Sequence, residues 1–233
     1  QVCIYRGGFL LQADQKKMPL VAAMLKYKKE QVYPFHTPGH KGGRGMEPLL
    51  AGELGAGALQ MDVSLMAELD DIHCPEGCIA AAQTLAAQLY GSDRCFFAVN
   101  GTTQAIQAML MTAVKPGGKV LIPRNAHRSV AGGLLLGDLE PVYVLPQFDA
   151  VFGINTQVTA GQIEEALQKD PFIKAVFLTS PNYYGQAADI KTIAQIAHKY
   201  GAAILVSANY CRLRLWSAAR MPARKARIKF WVL

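Results

Sequence analysis

The residues best suited to chemistry are Asn100–Thr103, which join an apolar, β-prone run to an alanine-rich helical pattern. The first amides of a helix have no partner within it, and the helix dipole places partial positive charge there. Gly101 lets a phosphate approach the backbone closely, and Thr102 and Thr103 add hydroxyl donors. The segment predicts a phosphate site. Asn-Gly-Thr is also common in turns and helix caps, so the capping interpretation stays open beside it.

Polar residues of other loops are further candidates. The proline- and glycine-rich stretch Tyr33–Gly43 carries His36, His40 and Lys41, where a plain linker would carry serine and glycine. Pro38 lies between the two histidines and excludes a regular helix, so metal-ligand spacing does not follow and we predict no metal site. A polar loop that lines a site is the preferred interpretation. A zinc knuckle is also not expected, because the pair Cys74 and Cys78 has no second pair.

The elements that must position these loops alternate along the chain. We predict strands at Cys95–Val99, Lys119–Pro123, Val142–Leu145, Ala175–Thr179 and Ala203–Val206, and helices at Met18–Glu30, Gly77–Tyr90, Thr102–Ala113, Ser129–Leu136, Ile163–Gln168 and Ile190–Tyr200. Alternation of this kind indicates βαβ units, with a mainly parallel sheet and helices on both faces. Ligands bind beyond the carboxyl ends of such strands. The loops at 100–103, 124–127 and 180–184 are therefore expected to meet at one edge.

Composition and charge limit the class of protein. The chain has 233 residues, of which 51% are apolar, and we expect no membrane association because no apolar run is long enough to span a bilayer. Five scattered cysteines, an odd number, favour a reducing cytoplasm over a disulfide framework. The net charge of +7 belongs to residues 207–233, which hold seven basic residues and no acidic one. The rest of the chain is neutral, so we expect no nucleic-acid partner for it.

Five segments, in order and spacing, resemble the Orn/Lys/Arg decarboxylases: PFHTPGHK (34–41), ELDDIHCPEG (68–77), NGTT (100–103), PRNAHRSV (123–130) and TSPNYYG (179–185). These are pyridoxal-phosphate enzymes with the aspartate aminotransferase fold (fold type I). The resemblance implies an α/β fold whose three-layer αβα large domain, like that of PLP-dependent transferases, is incomplete at the carboxyl terminus. We expect an N-terminal helical segment at 1–32, the partial cofactor-binding domain at 33–206 and a basic, poorly ordered tail outside the family pattern at 207–233.

The same resemblance implies roles for individual residues. The cofactor phosphate would lie on Gly101, Thr102 and Thr103, with His127 stacked on the pyridine ring and Thr179 nearby. The resemblance also implies a group near the substrate or the entrance, for which loop-stabilising hydrogen bonds are the competing interpretation: His36, His40, Lys41, Asn182 and Tyr183. The implied reaction is decarboxylation of arginine, lysine or ornithine to a polyamine-type amine, by a homodimer in the cytoplasm.

Two groups that this chemistry requires depart from the family pattern. Where the family has Asp-Glu-Ala-His, the chain has Ser207-Ala208-Asn209-Tyr210, and serine carries no negative charge for a protonated ring nitrogen. The later Ser-x-His-Lys, which holds the Schiff-base lysine, does not occur. We therefore expect no complete catalytic set, and cofactor binding without a covalent bond. We hypothesise that the chain is truncated by a change of reading frame near codon 206; the other two frames of the coding DNA would test this.

Other functions stay open at this stage. The chain could be a pseudoenzyme that pairs with an intact homologue, or it could bind nucleic acid through the basic tail, which we rank last because basic runs are usually solvated. The sequence does not distinguish among the three basic amino acids as substrate. Because Gln1 is not a methionine, we also expect a fragment at the amino terminus.

Overall fold

The computed structural model describes residues 2–5, 14–64, 66, 68–208 and 229–232. The chain divides into two compact units, one formed by Gln12–Ala86 and the other by Gln1–Leu11 with Ala87–Leu233. No helix in the described part of the chain is long and apolar enough to cross a membrane.

The domain boundaries expected from the sequence, 1–32, 33–206 and 207–233, stay a prediction. Most of the proposed tail, residues 209–228, lies outside the described residues.

Helices dominate the unit Gln12–Ala86. They are α1 (Pro19–Lys29), α2 (Pro48–Leu54), α3 (Ala56–Leu59) and α4 (Cys78–Tyr90), whose last residues belong to the other unit. A 3-10 turn lies at Lys41–Gly43. The predictions of α1 and α4 are confirmed to within one residue at each end. The sequence analysis missed α2 and α3 because seven and four residues are too few to show a helical period.

Asp70 holds the start of α4 in place. Its carboxylate oxygens accept hydrogen bonds from five backbone amides, those of Asp71, Glu76, Gly77, Ile79 and Ala80. Desolvation raises the pKa of this carboxyl, but the amide hydrogen bonds outweigh it and hold the pKa well below its ordinary value. The negative charge at the helix amino terminus is also favoured by the helix dipole.

The other unit contains a seven-stranded sheet in its described part. The strands of the chain are β1 (Val2–Tyr5), β2 (Arg94–Phe96), β3 (Lys119–Pro123), β4 (Glu140–Val144), β5 (Phe148–Asp149), β6 (Ile154–Asn155), β7 (Ile173–Thr179), β8 (Ala203–Ser207) and β9 (Lys229–Val232). Across the sheet the order is β2-β1-β9-β8-β7-β3-β4, while β5 and β6 form a separate hairpin. From β9 to β4 all neighbours are parallel. Because β1 is antiparallel to both β2 and β9, β2 points the same way as the parallel strands.

The first predicted strand, Cys95–Val99, is wrong at its carboxyl end. β2 stops at Phe96, whose partner Val2 is the first residue of β1, so among the described residues of β1 none is left to pair with the three residues that follow. The other four strand predictions are confirmed in position, with ends that differ by no more than two residues.

Two helices cover each face of the sheet, and strand alternation explains why. Phe177 and Leu205 belong to the core shared with α5 (Gly101–Ala113) and α6 (Arg128–Gly137). Val176, Leu178 and Ile204, one residue out of phase, belong to the core shared with α7 (Ala160–Lys169) and α8 (Ile190–Lys199). Successive side chains of a strand point to opposite faces, so the middle of β7 and of β8 carries apolar residues on both faces. The predicted three-layer αβα arrangement is confirmed.

Side-chain caps and a glycine mark the ends of three helices. Thr159 and Gln162 form the capping box that starts α7, and Asp189 caps α8 by accepting from the amide of Thr192 at 3.1 Å. The helix α4 ends at Gly91, whose φ of +62° is in the left-handed region that favours glycine.

Candidate functional site

The topology of the sheet gathers polar loops at one edge. Helix α5 ends at Ala113, close to the residue where β3 begins, so it runs antiparallel to β3. Its 13 residues are about 20 Å long, which places its first turn near the carboxyl end of β3. Helix α6 starts directly after β3 at that same end. The loop after β7 and the end of β8 lie there too, because these strands are parallel to β3. This is the edge where ligands bind in such folds.

The first turn of α5 has the features of an anion site. The N-cap residue Asn100 makes no side-chain capping bond to the first-turn amides, although its own amide donates to Gln104 Oε1 at 2.9 Å. His127, Thr159 and Asp189 cap the other three helices of the sheet. Gly101 has φ of +71°, and a Cβ placed on it would meet no atom within 4 Å, so the space beside its backbone is open. Within the part of the chain that the structure describes, no side chain occupies the first-turn amides, so these amides and the Thr102 hydroxyl could bind an anion.

His127 caps α6. Its Nδ1 accepts from the amide of Ser129 at 3.2 Å and is 2.8 Å from the Ser129 hydroxyl oxygen. The amide can only donate, so Nδ1 is the unprotonated nitrogen of a neutral ring and Nε2 carries the proton. His127 thus acts as a helix cap in the structure. The residue is nevertheless exposed, at the edge where α5 begins.

Thr179 and Ser207 are neighbours at the ends of β7 and β8. Their Cα atoms are register partners, and the amide of Ser180 continues the ladder by donating to the Ser207 carbonyl at 3.0 Å. Thr179 is two residues beyond Phe177, and Ser207 two beyond Leu205. By strand alternation both side chains point to the face that α5 and α6 cover. Thr179 is half-buried, and Gln157 Nε2 donates to its carbonyl at 3.0 Å.

Ser207 is a buried hydroxyl, 1% exposed. Its Oγ has no hydrogen-bond partner among the described residues. The other buried serines are bonded: Ser92 Oγ lies 3.3 Å and 3.2 Å from the carbonyls of Ala87 and Arg94, and Ser180 Oγ accepts from the amide of Ala188. A buried polar group without a partner is costly, so a ligand that bonded to it would recover part of that cost.

Asn182 shapes the loop after β7. Its Oδ1 accepts from the amides of Tyr184 and Gln186, both at 3.0 Å, and its Nδ2 donates to Gln186 Oε1 at 3.1 Å. The loop-stabilising interpretation of Asn182 therefore describes what this side chain does in the structure. Tyr183 is 94% exposed on the same loop, with its ring against that of Tyr184.

The histidine loop of the unit Gln12–Ala86 is also held by internal hydrogen bonds. His36 Nε2 is 2.9 Å from the Tyr27 hydroxyl, and Lys41 Nζ donates to the carbonyl of His36 at 2.6 Å. His40 Nδ1 accepts from the amide of Gly43 at 3.2 Å, and its Nε2 lies 3.0 Å from the Asp62 carboxylate. These hydrogen bonds fit the interpretation that His36, His40 and Lys41 stabilise the loop.

An acidic cavity in the same unit was not anticipated. It has a volume of about 590 Å³ and is lined in part by Glu68, Asp71, Glu76 and Cys74. Across the described ranges, no three such side chains are grouped so that they could hold a metal ion. The pKa of the neighbouring Cys78 thiol is raised by burial and by the charge of Asp70, which keeps that thiol protonated.

Comparison with known proteins identifies relatives for most of the chain. The family model described as Orn/Lys/Arg decarboxylase, major domain, matches residues 18–225. An arginine decarboxylase of Bacillus cereus is 38% identical over 193 residues, covering 83% of this chain and 42% of that protein. A lysine decarboxylase of Hafnia alvei is 30% identical over 164 residues, covering 66% and 22%.

A solved structure gives the same result for the fold. The constitutive lysine decarboxylase of Escherichia coli superposes with a TM-score of 0.69 and 28% identity, over 82% of this chain and 28% of that one. The chain thus spans about two fifths or less of the length of these relatives.

Proposed function

This chain belongs to the Orn/Lys/Arg decarboxylase family, and from that premise we propose that it provides the cofactor-phosphate part of a site that decarboxylates arginine, lysine or ornithine with pyridoxal 5'-phosphate. The likeness to arginine and lysine decarboxylases supports a basic amino acid as substrate. The observation that carries the proposal is the uncapped first turn of α5, with open space beside the left-handed Gly101, at the sheet edge shared with His127 and Thr179.

The residues of this edge fit the cofactor. The amides of Gly101, Thr102 and Thr103 would hold its phosphate, because a helix amino terminus combines unpaired donors with the positive end of the dipole. The exposed ring of His127 would cover one face of the pyridine ring, held in orientation by its hydrogen bonds to Ser129. Thr179 would contact the cofactor from the end of β7.

The bound cofactor would supply an electron sink for loss of the substrate carboxylate, while the protein supplies binding and orientation. The polar loops would complete the substrate side of the site. Tyr183 is exposed on a loop that Asn182 holds in shape. We keep the role of His36, His40 and Lys41 near the entrance as part of the proposal, on the resemblance alone.

We further propose that these 233 residues bind the cofactor without turnover. The printed sequence holds no Ser-x-His-Lys for a covalent bond, and it has Ser207 where the family pattern has an aspartate. A cytoplasmic homodimer is the expected assembly at family level. Pairing with an intact homologue is the alternative role, and nucleic-acid binding through the basic tail ranks below it.

Titration of the full chain with pyridoxal 5'-phosphate tests the cofactor site. We expect saturable binding, followed by tyrosine fluorescence quenching and competed by inorganic phosphate. Gly101→Ala should weaken binding at least tenfold, because a side chain at φ of +71° is strained and a methyl group would occupy the open space. Thr112→Ala, at the far end of the same helix, is the matched control and should leave affinity unchanged.

Release of carbon dioxide from arginine, lysine and ornithine tests the second part. We expect none above background for the cofactor-loaded chain. Binding that phosphate does not compete, or that Thr112→Ala weakens as much as Gly101→Ala, would contradict the phosphate site. Measurable decarboxylation would contradict the absence of turnover while leaving the family-level function in place.

A further inference from the structure

Ser207 occupies a specific place at the sheet edge. It is the last residue of β8, the register partner of Thr179, and its side chain points to the face covered by α5. The hydroxyl is 1% exposed, and no partner for it exists within the described ranges. The structure therefore presents two separate indications of one ligand at this edge: an uncapped helix start with open space and a buried polar atom with nothing bonded to it.

The environment of Ser207 disfavours positive charge on a bound group. No residue of α5 is charged, and Thr179 on β7 and Val232 on β9, its neighbours across the sheet, are neutral. The basic residues of α8, Lys191, His198 and Lys199, belong to the helix on the opposite face. Arg124, after β3, has its guanidinium carbon 5.2 Å from the ring centroid of Tyr143 on β4, which β7 and β3 separate from β8. Burial itself lowers the pKa of a ring nitrogen.

A hydroxyl and a carboxylate act differently on such a nitrogen. A carboxylate can only accept, so it stabilises the protonated, positively charged ring. A serine hydroxyl can donate to the lone pair of an unprotonated nitrogen, and it brings no charge that would offset the cost of burying a cation.

We propose that Ser207 donates a hydrogen bond to the pyridine nitrogen of the cofactor and that the chain binds pyridoxal phosphate with this nitrogen unprotonated. The inference rests on the proposed function, since it requires that the cofactor binds at this edge. It goes beyond the proposed function because it names the protein group that contacts the ring nitrogen. It also states which protonation state of the cofactor the site binds.

Pyridoxal 5'-phosphate labelled with ¹⁵N at the ring nitrogen tests the inference by NMR, since protonation moves this resonance by far more than a hydrogen bond does. In the full wild-type chain we expect the signal of a neutral, hydrogen-bonded nitrogen from pH 6 to 8. Ser207→Asp should move it to the protonated position. Ser207→Ala should keep it neutral, shift it toward the unbonded position and weaken binding about two- to tenfold, the value of one hydrogen bond.

Ser92→Ala is the control, because Ser92 is also buried in this unit but bonds to backbone carbonyls away from the edge. It should change neither the signal nor the affinity. A protonated nitrogen in the wild-type chain would overturn the inference and leave the cofactor site intact. Unchanged signal and affinity in Ser207→Ala would overturn it as well, even if Ser207→Asp fails to fold. Absence of saturable binding by the wild-type chain would instead remove the proposed cofactor site and the inference together.

Discussion

Replacement of Ser207 by alanine should stabilise the ligand-free chain, in contrast to most substitutions of buried residues. The hydroxyl of Ser207 is buried without a partner among the described residues, so the folded state carries its desolvation cost with no hydrogen bond in return. Ser92→Ala is the matched comparison, because Ser92 is 3% exposed in the same unit and its hydroxyl is within hydrogen-bond distance of two carbonyls.

The magnitudes follow from these two environments. Removal of an unsatisfied buried group recovers about 1–3 kcal/mol, less a small loss of packing around the missing oxygen atom. We therefore expect Ser207→Ala to raise the free energy of unfolding by about 1 kcal/mol. Removal of the bonded Ser92 hydroxyl should lower it by about 1 kcal/mol. In a unit of this size each change corresponds to about 2–4 °C in Tm, with opposite signs.

Urea unfolding followed by circular dichroism measures both variants against the wild-type chain. Saturating pyridoxal 5'-phosphate should shrink or remove the stability advantage of Ser207→Ala, because the wild-type hydroxyl gains a partner that alanine lacks. A loss of stability in ligand-free Ser207→Ala equal to that of Ser92→Ala would refute the reasoning, since it would show that the Ser207 hydroxyl is already bonded in the ligand-free chain.

Three further predictions use ionised groups and loops. The hydrogen bond from Lys119 Nζ, at 2.8 Å, lowers the pKa of the Asp170 carboxyl in the folded chain. The stability that this bond contributes is present above the pKa of the unfolded carboxyl and is lost as pH falls through the pKa of the folded one. The Tm of Asp170→Asn should therefore fall less than that of wild type between pH 6 and pH 3. In Asp70→Asn, one acceptor oxygen remains for the backbone amides that two carboxylate oxygens now bind. Hydrogen exchange at the Ile79 amide should therefore become at least tenfold faster, and an unchanged exchange rate would contradict this role of Asp70. Asn182→Ala should make the loop after β7 a site of rapid limited proteolysis, while resistance equal to wild type would show that the other loop contacts suffice.

The elements that the sequence predicts well are those specified by local signals. The residue types at Thr159 and Asp189 indicate where α7 and α8 begin, because both act as helix caps. The alternation of apolar strands with helices indicates a sheet covered by helices on both faces. Elements that depend on distant partners were missed or misplaced. The end of β2 at Phe96 is set by its pairing with Val2, almost a hundred residues away. The local hairpin of β5 and β6 was missed for a different reason, since two residues each are too few to show a strand period.

The site shows the same division between local and distant causes. The open first turn of α5 follows from the residue types at Gly101 and Thr102, which the sequence displays directly. The five amide bonds to Asp70 could not be foreseen, because this carboxylate is eight residues before the helix that it caps, beyond the spacing of ordinary N-caps.

Strand parity connects the sequence to the face on which Ser207 acts. Phe177 and Leu205 pack with α5 and α6, and two further residues along each strand bring Thr179 and Ser207 to that same face at the edge. A register shift by a single residue would turn both side chains toward α7 and α8, away from the first turn of α5. The apolar pattern of β8 therefore sets the face to which the hydroxyl points, and serine at this position sets the chemistry of the contact that we propose there.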